Sequence, residues 1–262
     1  MAKDILITGS TDGIGKGTAV KLAGQGHRVY LHGRDPERLA AAVSQVKYAS
    51  GSDTVTGFTA DFADLDAVGR MADEVRDVLT GLDVLINNAG VFKSPGEDGM
   101  PDLRFRVNYL APVLLTQRLI PLLEKGTAPR IINLSSAAQS PVSLAALQGK
   151  DTLPQAEAYA QSKLALTMWS FHLAKTQSAM GVIAVNPGSL LHTKMATEAY
   201  GRFWSPADKG IDILCELAVS PDHTGVTGQY YDNDQGGFAQ AHPAAYNPAE
   251  VDRLIRTTRQ MI

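Results

Sequence analysis

The chain has 262 residues, 44% of them hydrophobic, which is enough apolar material for one large core. A formal net charge of −3 leaves no basic excess for a phosphate backbone or an anionic membrane surface, so nucleic acid is not an expected partner. The single cysteine, Cys215, excludes an intramolecular disulfide and a cysteine metal cluster; it fits a reducing compartment, and no metal is expected.

Met1–Asp4 runs directly into the apolar segment Ile5–Thr8, which leaves no room for a signal peptide and points to a cytoplasmic location. No apolar run approaches the roughly 20 residues that span a bilayer. Further Val/Ile/Leu-rich runs follow at Arg28–His32, Thr54–Thr59, Val84–Ile86, Arg130–Leu134 and Val182–Asn186. They lack clean polar alternation, as strands buried on both faces do. The stretches between them, near 14–25, 36–49, 64–79, 104–125, 157–180 and 205–219, read as helices. This rhythm predicts a parallel sheet with helices on both sides. A short strand near Gln229–Tyr231 and a helix from Pro248 complete it, and Gly236–Asn247 reads as irregular. There is no internal repeat and no linker. Residues 1–262 therefore read as one α/β domain, with a cofactor half over about 1–125 and a catalytic and substrate half over about 126–262. Ala137–Glu157 is long for a strand-to-helix connection, and loops of that length tend to carry function.

Thr8-Gly9-Ser10-Thr11-Asp12-Gly13-Ile14-Gly15 ends the first strand and opens the first helix. Glycines there let the chain turn off the strand and let backbone approach a pyrophosphate, which the positive end of the helix favours. A tight turn without a ligand is the plain alternative. Further on, Gly33-Arg34 stands at the tip of the second strand. Glycine there removes the carboxylate that would select NAD, and Arg34 can pair with a 2′-phosphate. NADP(H) is therefore favoured and NAD(H) stays open. Asp35 and Asp12 weigh against that choice, and Arg34 can equally be a solvated residue at a helix start.

Tyr159 and Lys163 stand four apart and share one helical face. A tyrosine pKa near 10 must fall by roughly three units, about 4 kcal/mol, to work near neutrality, and a lysine ammonium can contribute to that. Ser135-Ser136 ends the fifth apolar run, where the crevice of an open α/β sheet lies. Asn87-Asn88-Ala89-Gly90 follows the fourth run with small residues that admit a cofactor, and Asn108 interrupts an apolar helix. Each feature has a bland alternative: a surface pair, a turn, a satisfied polar group.

Their order decides between these readings. The glycine loop, Asn-Asn-Ala-Gly, helix asparagine, strand-end serine, Tyr-x-x-x-Lys and Asn186-Pro187-Gly188 together resemble the short-chain dehydrogenase/reductase family, from Lys3 to about Tyr231. The wording Tyr-Ala-Gln-Ser-Lys-Leu-Ala and the extra residues before it are similar to the retinol-dehydrogenase-like branch. The resemblance implies a Rossmann-type doubly wound sheet of seven strands in the order 3-2-1-4-5-6-7. It implies a catalytic tetrad of Asn108, Ser136, Tyr159 and Lys163. Tyr159 would be the general acid or base, Ser136 would hold the carbonyl oxygen, Lys163 would bind the nicotinamide ribose, and Asn108 would carry a relay water. The cofactor would meet Gly9, Ser10, Thr11, Asp12, Gly13, Ile14, Gly15, Arg34, Asp61, Phe62, Asn88, Ala89, Gly90, Tyr159, Lys163, Pro187, Gly188 and Thr193. Asp61-Phe62 is similar to the pair that contacts adenine.

The sequence departs from the family pattern in three places. Ser136 and Tyr159 are farther apart than usual; Gly188-Ser-Leu-Leu-His-Thr193 is one residue longer, so that Thr193 or Ser189 could meet the carboxamide; and the tail lacks the closing pattern of the family's tetramers. A homo-oligomer is expected, with a lean to a dimer. The segments Val91–Pro101, Ala137–Glu157 and Ser189–Trp204 would cover the substrate. They carry Phe92, Leu144, Leu147, Leu153, Leu190, Leu191, Met195, Tyr200, Phe203 and Trp204, which suit a lipophilic or aromatic carbonyl or alcohol, or simply pack the lids. Two alternatives remain beside the oxidoreductase: a catalytically silent cofactor sensor or scaffold, and an epimerase or dehydratase using Glu157, Asp151 or His192 as a further acid-base group.

Overall fold

Strands β1 (Asp4–Ile7), β2 (Arg28–Gly33), β3 (Val55–Thr59), β4 (Val84–Asn87), β5 (Arg130–Leu134), β6 (Gly181–Asn186), β7 (Gln229–Asp232) and β8 (Gly237–Ala239) form one sheet in the computed structural model. The structure describes residues 1–93, 100–193, 196–197, 201, 203 and 205–262. The strand order is β3-β2-β1-β4-β5-β6-β7-β8. Strands β1 to β7 pair in parallel, in the expected order. The eighth strand is a correction. The tail expected to be irregular turns back after Asp232 and pairs antiparallel, with Tyr231 opposite Phe238. Backbone bonds from Gln235 and Gly236 to the Asp232 carbonyl close this hairpin, and Gly236 supplies the left-handed φ of 73°. A further short turn, Pro243–Tyr246, follows.

Alternation along each strand assigns its side chains to two cores. Ile5, Ile7, Val84, Ile86, Ile132 and Ile183 face one side, under α1 (Gly13–Gly24), α2 (Pro36–Ser50) and α8 (Asp208–Val219). Leu6, Leu85, Ile131, Val182 and Ala184 face the other, under α3 (Leu65–Val78), α5 (Ala111–Leu123), α7 (Gln155–Thr176) and α9 (Pro248–Thr258). The helices begin where the sequence supplies a cap. Asp12, Asp35, Asp64 and Asn247 each accept a hydrogen bond from a first-turn N–H.

The helix expected over 104–125 runs unbroken from Leu103 to Leu123, but it is not α-helical throughout. A short turn, α4 (Leu103–Phe105), leads into one π-turn at Arg106–Leu110, where the Ala111 N–H reaches the Arg106 carbonyl, and only then into α5. Pro112, which has no N–H, stands four residues after Asn108 and cannot supply the α-helical bond to its carbonyl. The long connection 137–157 holds one short helix, α6 (Leu144–Leu147), before α7 begins at Gln155. The ends of β1, β4, β5 and β6 lie level, as the pairs Ile7↔Ile86, Asn87↔Asn133 and Leu134↔Val185 show. Their C-terminal edge, with helices leaving to opposite faces, is where open α/β sheets take ligands.

Candidate active site

The glycine loop is built by bonds to its own neighbours. Thr8 Oγ1 accepts from the N–H groups of Asn88 and Ala89 (3.0 Å each). The Asn88 amide donates to the carbonyls of Thr8 (2.7 Å) and Gly9 (2.9 Å). The loop after β1 and the Asn-Ala-Gly turn after β4 are thus one unit. Gly9 has φ 63°, and a Cβ there would fall 2.7 Å from Ala89 Cα, so only glycine fits. Asp12 accepts from Gly13 N–H (2.8 Å), and its carboxylate therefore caps α1.

At the tip of β2, a Cβ on Gly33 would lie 2.4 Å from the Thr11 methyl carbon. A carboxylate side chain at that position would have to displace the Thr11 methyl. The neighbouring Asp35 caps α2, accepting from the N–H groups of Glu37 and Arg38 at 3.0 Å. Arg34 is exposed beside it. Asp61 is exposed at the end of β3 and accepts from Ala63 N–H (2.9 Å). Phe62 differs from its expected place. It is 3% exposed, with its ring stacked on His32 at 4.2 Å, so the ring supports the wall from within the core and a contact with adenine would fall to its backbone.

The two serines after β5 separate cleanly. Ser135 is buried, its hydroxyl 2.7 Å from Thr167 Oγ1 and bonded to the Lys163 carbonyl (3.2 Å). Ser136 is partly exposed, and among the described residues its hydroxyl accepts from Ala138 N–H (3.1 Å) alone, which leaves the proton for a ligand. The Ser136 carbonyl is held from two sides, by Tyr230 Oη (3.0 Å) and the Gln139 amide (2.9 Å). Neither residue carries a sequence signal; a tyrosine on a closing strand looks like core.

Lys163 is 4% exposed and donates to the Leu134 carbonyl (2.7 Å), which pins α7 to the end of β5. Burial pulls its pKa down to about 8. Its Nζ lies 5.6 Å from the Tyr159 ring centroid, and the Phe92 ring packs tilted against the same ring at 5.1 Å. Asn108 is fully buried. Its amide donates to the Val91 carbonyl and Ser162 Oγ (3.0 Å each), and its oxygen accepts from Val91 N–H (2.8 Å). Both amide protons are used, so the side chain clamps the loop after β4 and does not itself donate to a relay water.

Pro187-Gly188 is held by a polar cluster that sequence reasoning missed. Asn186 donates to Asp232 (2.8 Å) and Asp234 (2.9 Å) and accepts from Gly188 N–H (3.2 Å). Asp234 also accepts from Ser189 N–H and Oγ, while Asn233 donates to the Pro187 carbonyl (2.8 Å). Burial opposes the Asp234 charge, but the bonds from Ser189, Asn186 and Lys209 outweigh it and hold the carboxyl at about 2. Ser189 is thereby turned away to the hairpin. Thr193 accepts from Ala196 N–H (3.2 Å), and its methyl comes within 3.9 Å of where a Gly13 Cβ would stand, so Thr193 reaches the glycine loop.

Of the candidate substrate residues, Leu147 and Leu191 are buried and pack the lids. Leu144 and Leu153 are partly buried against the same core, whereas Phe203 is 48% exposed and stacked on His192 at 3.7 Å. Met195, Tyr200 and Trp204 lie outside the described residues. Glu157 accepts from Ser140 and from the Gln161 amide (2.8 Å each), and those bonds hold its carboxyl below the usual range. Glu157 Oε1 thereby serves the lid.

Residues 3–201 match the sequence profile of the family described as short chain dehydrogenase. The chain belongs to the short-chain dehydrogenase family. It is 32% identical to retinol dehydrogenase 12 of Mus musculus over 276 residues, covering 99% of this chain and 86% of that one. It is 31% identical to polyprenol dehydrogenase of Homo sapiens over 253 residues, covering 88% and 76%. Among solved structures it resembles salutaridine reductase from Papaver somniferum, with a TM-score of 0.72 and 25% identity over 87% of this chain and 99% of that one. A short chain dehydrogenase from Escherichia coli CFT073 complexed with NADPH gives a TM-score of 0.73 and 26% identity over 88% and 96%. This short-chain dehydrogenase is thus an oxidoreductase of the retinol-dehydrogenase-like branch. Among its described residues no helix is long and apolar enough to cross a membrane.

Proposed function

We propose that this enzyme moves a hydride between NADP(H) and a carbonyl/alcohol pair, with Tyr159 as the proton carrier. The observation that supports it most is the placement of Lys163: a buried ammonium, bonded to a neutral carbonyl and not to a carboxylate, beside the ring of Tyr159. An unneutralised cation there favours the phenolate and lowers the cost of proton transfer.

The residues present fit a dinucleotide. Gly9 and Gly15 let the loop close against Ala89 and Asn88, where a Cβ would collide, and α1 carries no acidic residue in its first turn, so its N-terminal N–H groups can take a phosphate. Arg34, with Asp35 occupied as a cap and Gly33 packed on Thr11, favours a 2′-phosphate, and the NADPH complex of the Escherichia coli relative is in keeping with that choice. Asp61, Asn88, Ala89, Gly90, Pro187, Gly188 and Thr193 would line the remaining path. When bound, NADPH would supply the hydride that the carbonyl carbon takes up. Ser136 donates its free hydroxyl proton in a hydrogen bond to the carbonyl oxygen, orienting it. Tyr159 Oη transfers its proton to that oxygen, which yields the alcohol; oxidation runs the same proton back to a phenolate. Lys163 stabilises the phenolate and would bind the ribose hydroxyls. The relay water falls to the Asn108 backbone carbonyl, which Pro112 leaves without its α-helical donor.

Phe92 and the exposed Phe203 favour a lipophilic or aromatic substrate. The names of the retinol and polyprenol dehydrogenases point the same way. A homo-oligomer, leaning to a dimer, and a cytoplasmic location belong to the same proposal; light scattering after size exclusion and cell fractionation test them.

The central test is titration with NADPH and NADH by fluorescence, then turnover on a panel of aldehydes and ketones. NADPH should bind more tightly, and Tyr159→Phe should lose about 10²- to 10⁴-fold in kcat with binding retained. A Tyr159→Phe protein that still turns over at the wild-type rate removes the proton-carrier role. A wild-type protein that binds dinucleotide without turnover supports the sensor alternative.

A further inference from the structure

His32 lies on β2, beneath the glycine loop, and the proposed chemistry gives it no part. It is 3% exposed, and both ring nitrogens have partners. Gly9 N–H donates to Nδ1 at 3.0 Å, so Nδ1 must carry a lone pair. Nε2 lies 3.0 Å from the Ala60 carbonyl, which can only accept, so Nε2 must carry the proton. These two partners admit one form of the ring, the neutral Nε2–H tautomer. Burial, which pulls the pKa down to about 4 against the weak opposing pull of the Ala60 carbonyl and Asp61, keeps it neutral.

The backbone of the same residue also grips the loop. His32 N–H donates to Ser10 Oγ (2.9 Å), and Ser10 N–H donates to the His32 carbonyl (2.9 Å). One face of the ring stacks on Phe62, just after Ala60 and Asp61. A single side chain therefore joins the loop after β1, which would hold the pyrophosphate, to the segment after β3, which would meet the adenine.

We propose that His32 is a positioning residue for the dinucleotide: it fixes the Gly9 amide, and with it the turn of the glycine loop, through Nδ1, while Nε2 sets the distance to the adenine-side wall. This rests on the dinucleotide reading above. Without an acceptor at Nδ1, a buried N–H is left unpaired, and the loop must shift to satisfy it. Cofactor binding would then have to restore the displaced turn, so the loss appears in affinity and not in the chemical step.

Two conservative variants separate this role from plain core packing. In His32→Asn the side-chain oxygen falls near the place of Nδ1 and can still accept from Gly9. In His32→Gln the side-chain amide falls near the place of Nε2, keeps the donation to Ala60 and loses the acceptor for Gly9. Both lose the ring and its stack on Phe62, so both should lower the melting temperature. The dissociation constant for NADPH is measured by fluorescence titration, with kcat at saturating cofactor beside it. His32→Gln should weaken NADPH binding about tenfold, the scale of one buried hydrogen bond, with kcat within about twofold. His32→Asn should stay within about threefold of the wild-type affinity. Equal affinities in the two variants, whether both unchanged or both weakened, overturn the proposal. Nitrogen NMR of the wild-type ring is a check that needs no variant: protonation at Nδ1 also overturns it. A wild-type protein that binds neither NADPH nor NADH defeats the dinucleotide reading and this inference together, a result distinct from failure of the variant pattern.

Discussion

Lys163 holds its charge where water does not reach it. Burial moves its pKa to about 8, so the free enzyme loses the ammonium as the pH rises through that value. In the reductive direction, kcat/KM should therefore fall above about pH 8, because this quantity reports groups of the free enzyme. In the oxidative direction Tyr159 must be deprotonated, and the ammonium favours that form. Lys163→Ala should move the acid limb of the rate profile to higher pH by about one unit or more, each unit being about 1.4 kcal/mol of lost interaction, and should weaken cofactor binding. Steady-state profiles over pH 5 to 10 with the wild type and the variant check both statements. A superimposable profile would remove the assigned role of Lys163. The choice of Ser136 over Ser135 lies on the same scale. Adjacency in sequence left two hydroxyls, and geometry separates them: Ser135 is bonded into α7, whereas Ser136 keeps its proton for a ligand.

The long connection between β5 and α7 shows what a sequence carries and what it withholds at the level of elements. Counting from Ser136 to Tyr159 reveals the insertion, because chemistry fixes both ends. It does not reveal how the insertion is seated. Glu157 accepts from Ser140, and Gln161, which it also holds, accepts from Ser143 N–H (2.8 Å) at the start of α6. These are contacts between residues 17 and 18 apart, and no period or propensity encodes them. The same holds for Asp234, which looks like a turn residue in sequence and buttresses Ser189 in space. Long-range polar seating is invisible where alternation and glycine placement are not, which is why strands β1 to β7 were legible and the seating of the Pro187–Ser189 loop was not. The three-residue strand β8 was too short, and too close to its glycines, to show a pattern. The seating of the insertion makes a prediction. Glu157→Ala frees Ser140 and loosens Gln161, so the lid should lose its register while the glycine loop stays intact. KM for a bulky carbonyl should rise about three- to tenfold, with the NADPH dissociation constant unchanged, because one or two part-buried hydrogen bonds are lost. Gln161→Ala should act in the same way, and the double variant should be less than additive, since one tether serves both. Initial-rate measurements on the four proteins decide it; equal loss of NADPH affinity would show that the lid and the cofactor site are one unit.

At the scale of the whole molecule, a buried bond ties the C-terminal helix α9 to the π-turn that carries Asn108. Tyr109, in the π-turn next to Asn108, has its hydroxyl 2.7 Å from Thr258 Oγ1 on α9. Thr258 has a single hydroxyl proton, and the Leu254 carbonyl takes it at 2.9 Å. Tyr109 must therefore be the donor and Thr258 the acceptor. Burial also pushes the Tyr109 hydroxyl to a higher pKa than usual, so it remains a donor throughout the working range. The two halves of this bond are then unequal. Thr258→Val leaves a phenol donor buried with no partner and should cost about 1–3 kcal/mol. Tyr109→Phe removes donor and demand together, and Thr258 keeps its bond to Leu254; it should cost about 1 kcal/mol or less. Urea unfolding of both variants and the wild type, at constant m-value, measures the difference. If Tyr109→Phe proves the costlier of the two, the direction of the bond is reversed. The position of Tyr109 also ties stability to the site. Asn108 clamps the loop after β4 through Val91, so a loosened π-turn should lower kcat in Thr258→Val more than in Tyr109→Phe.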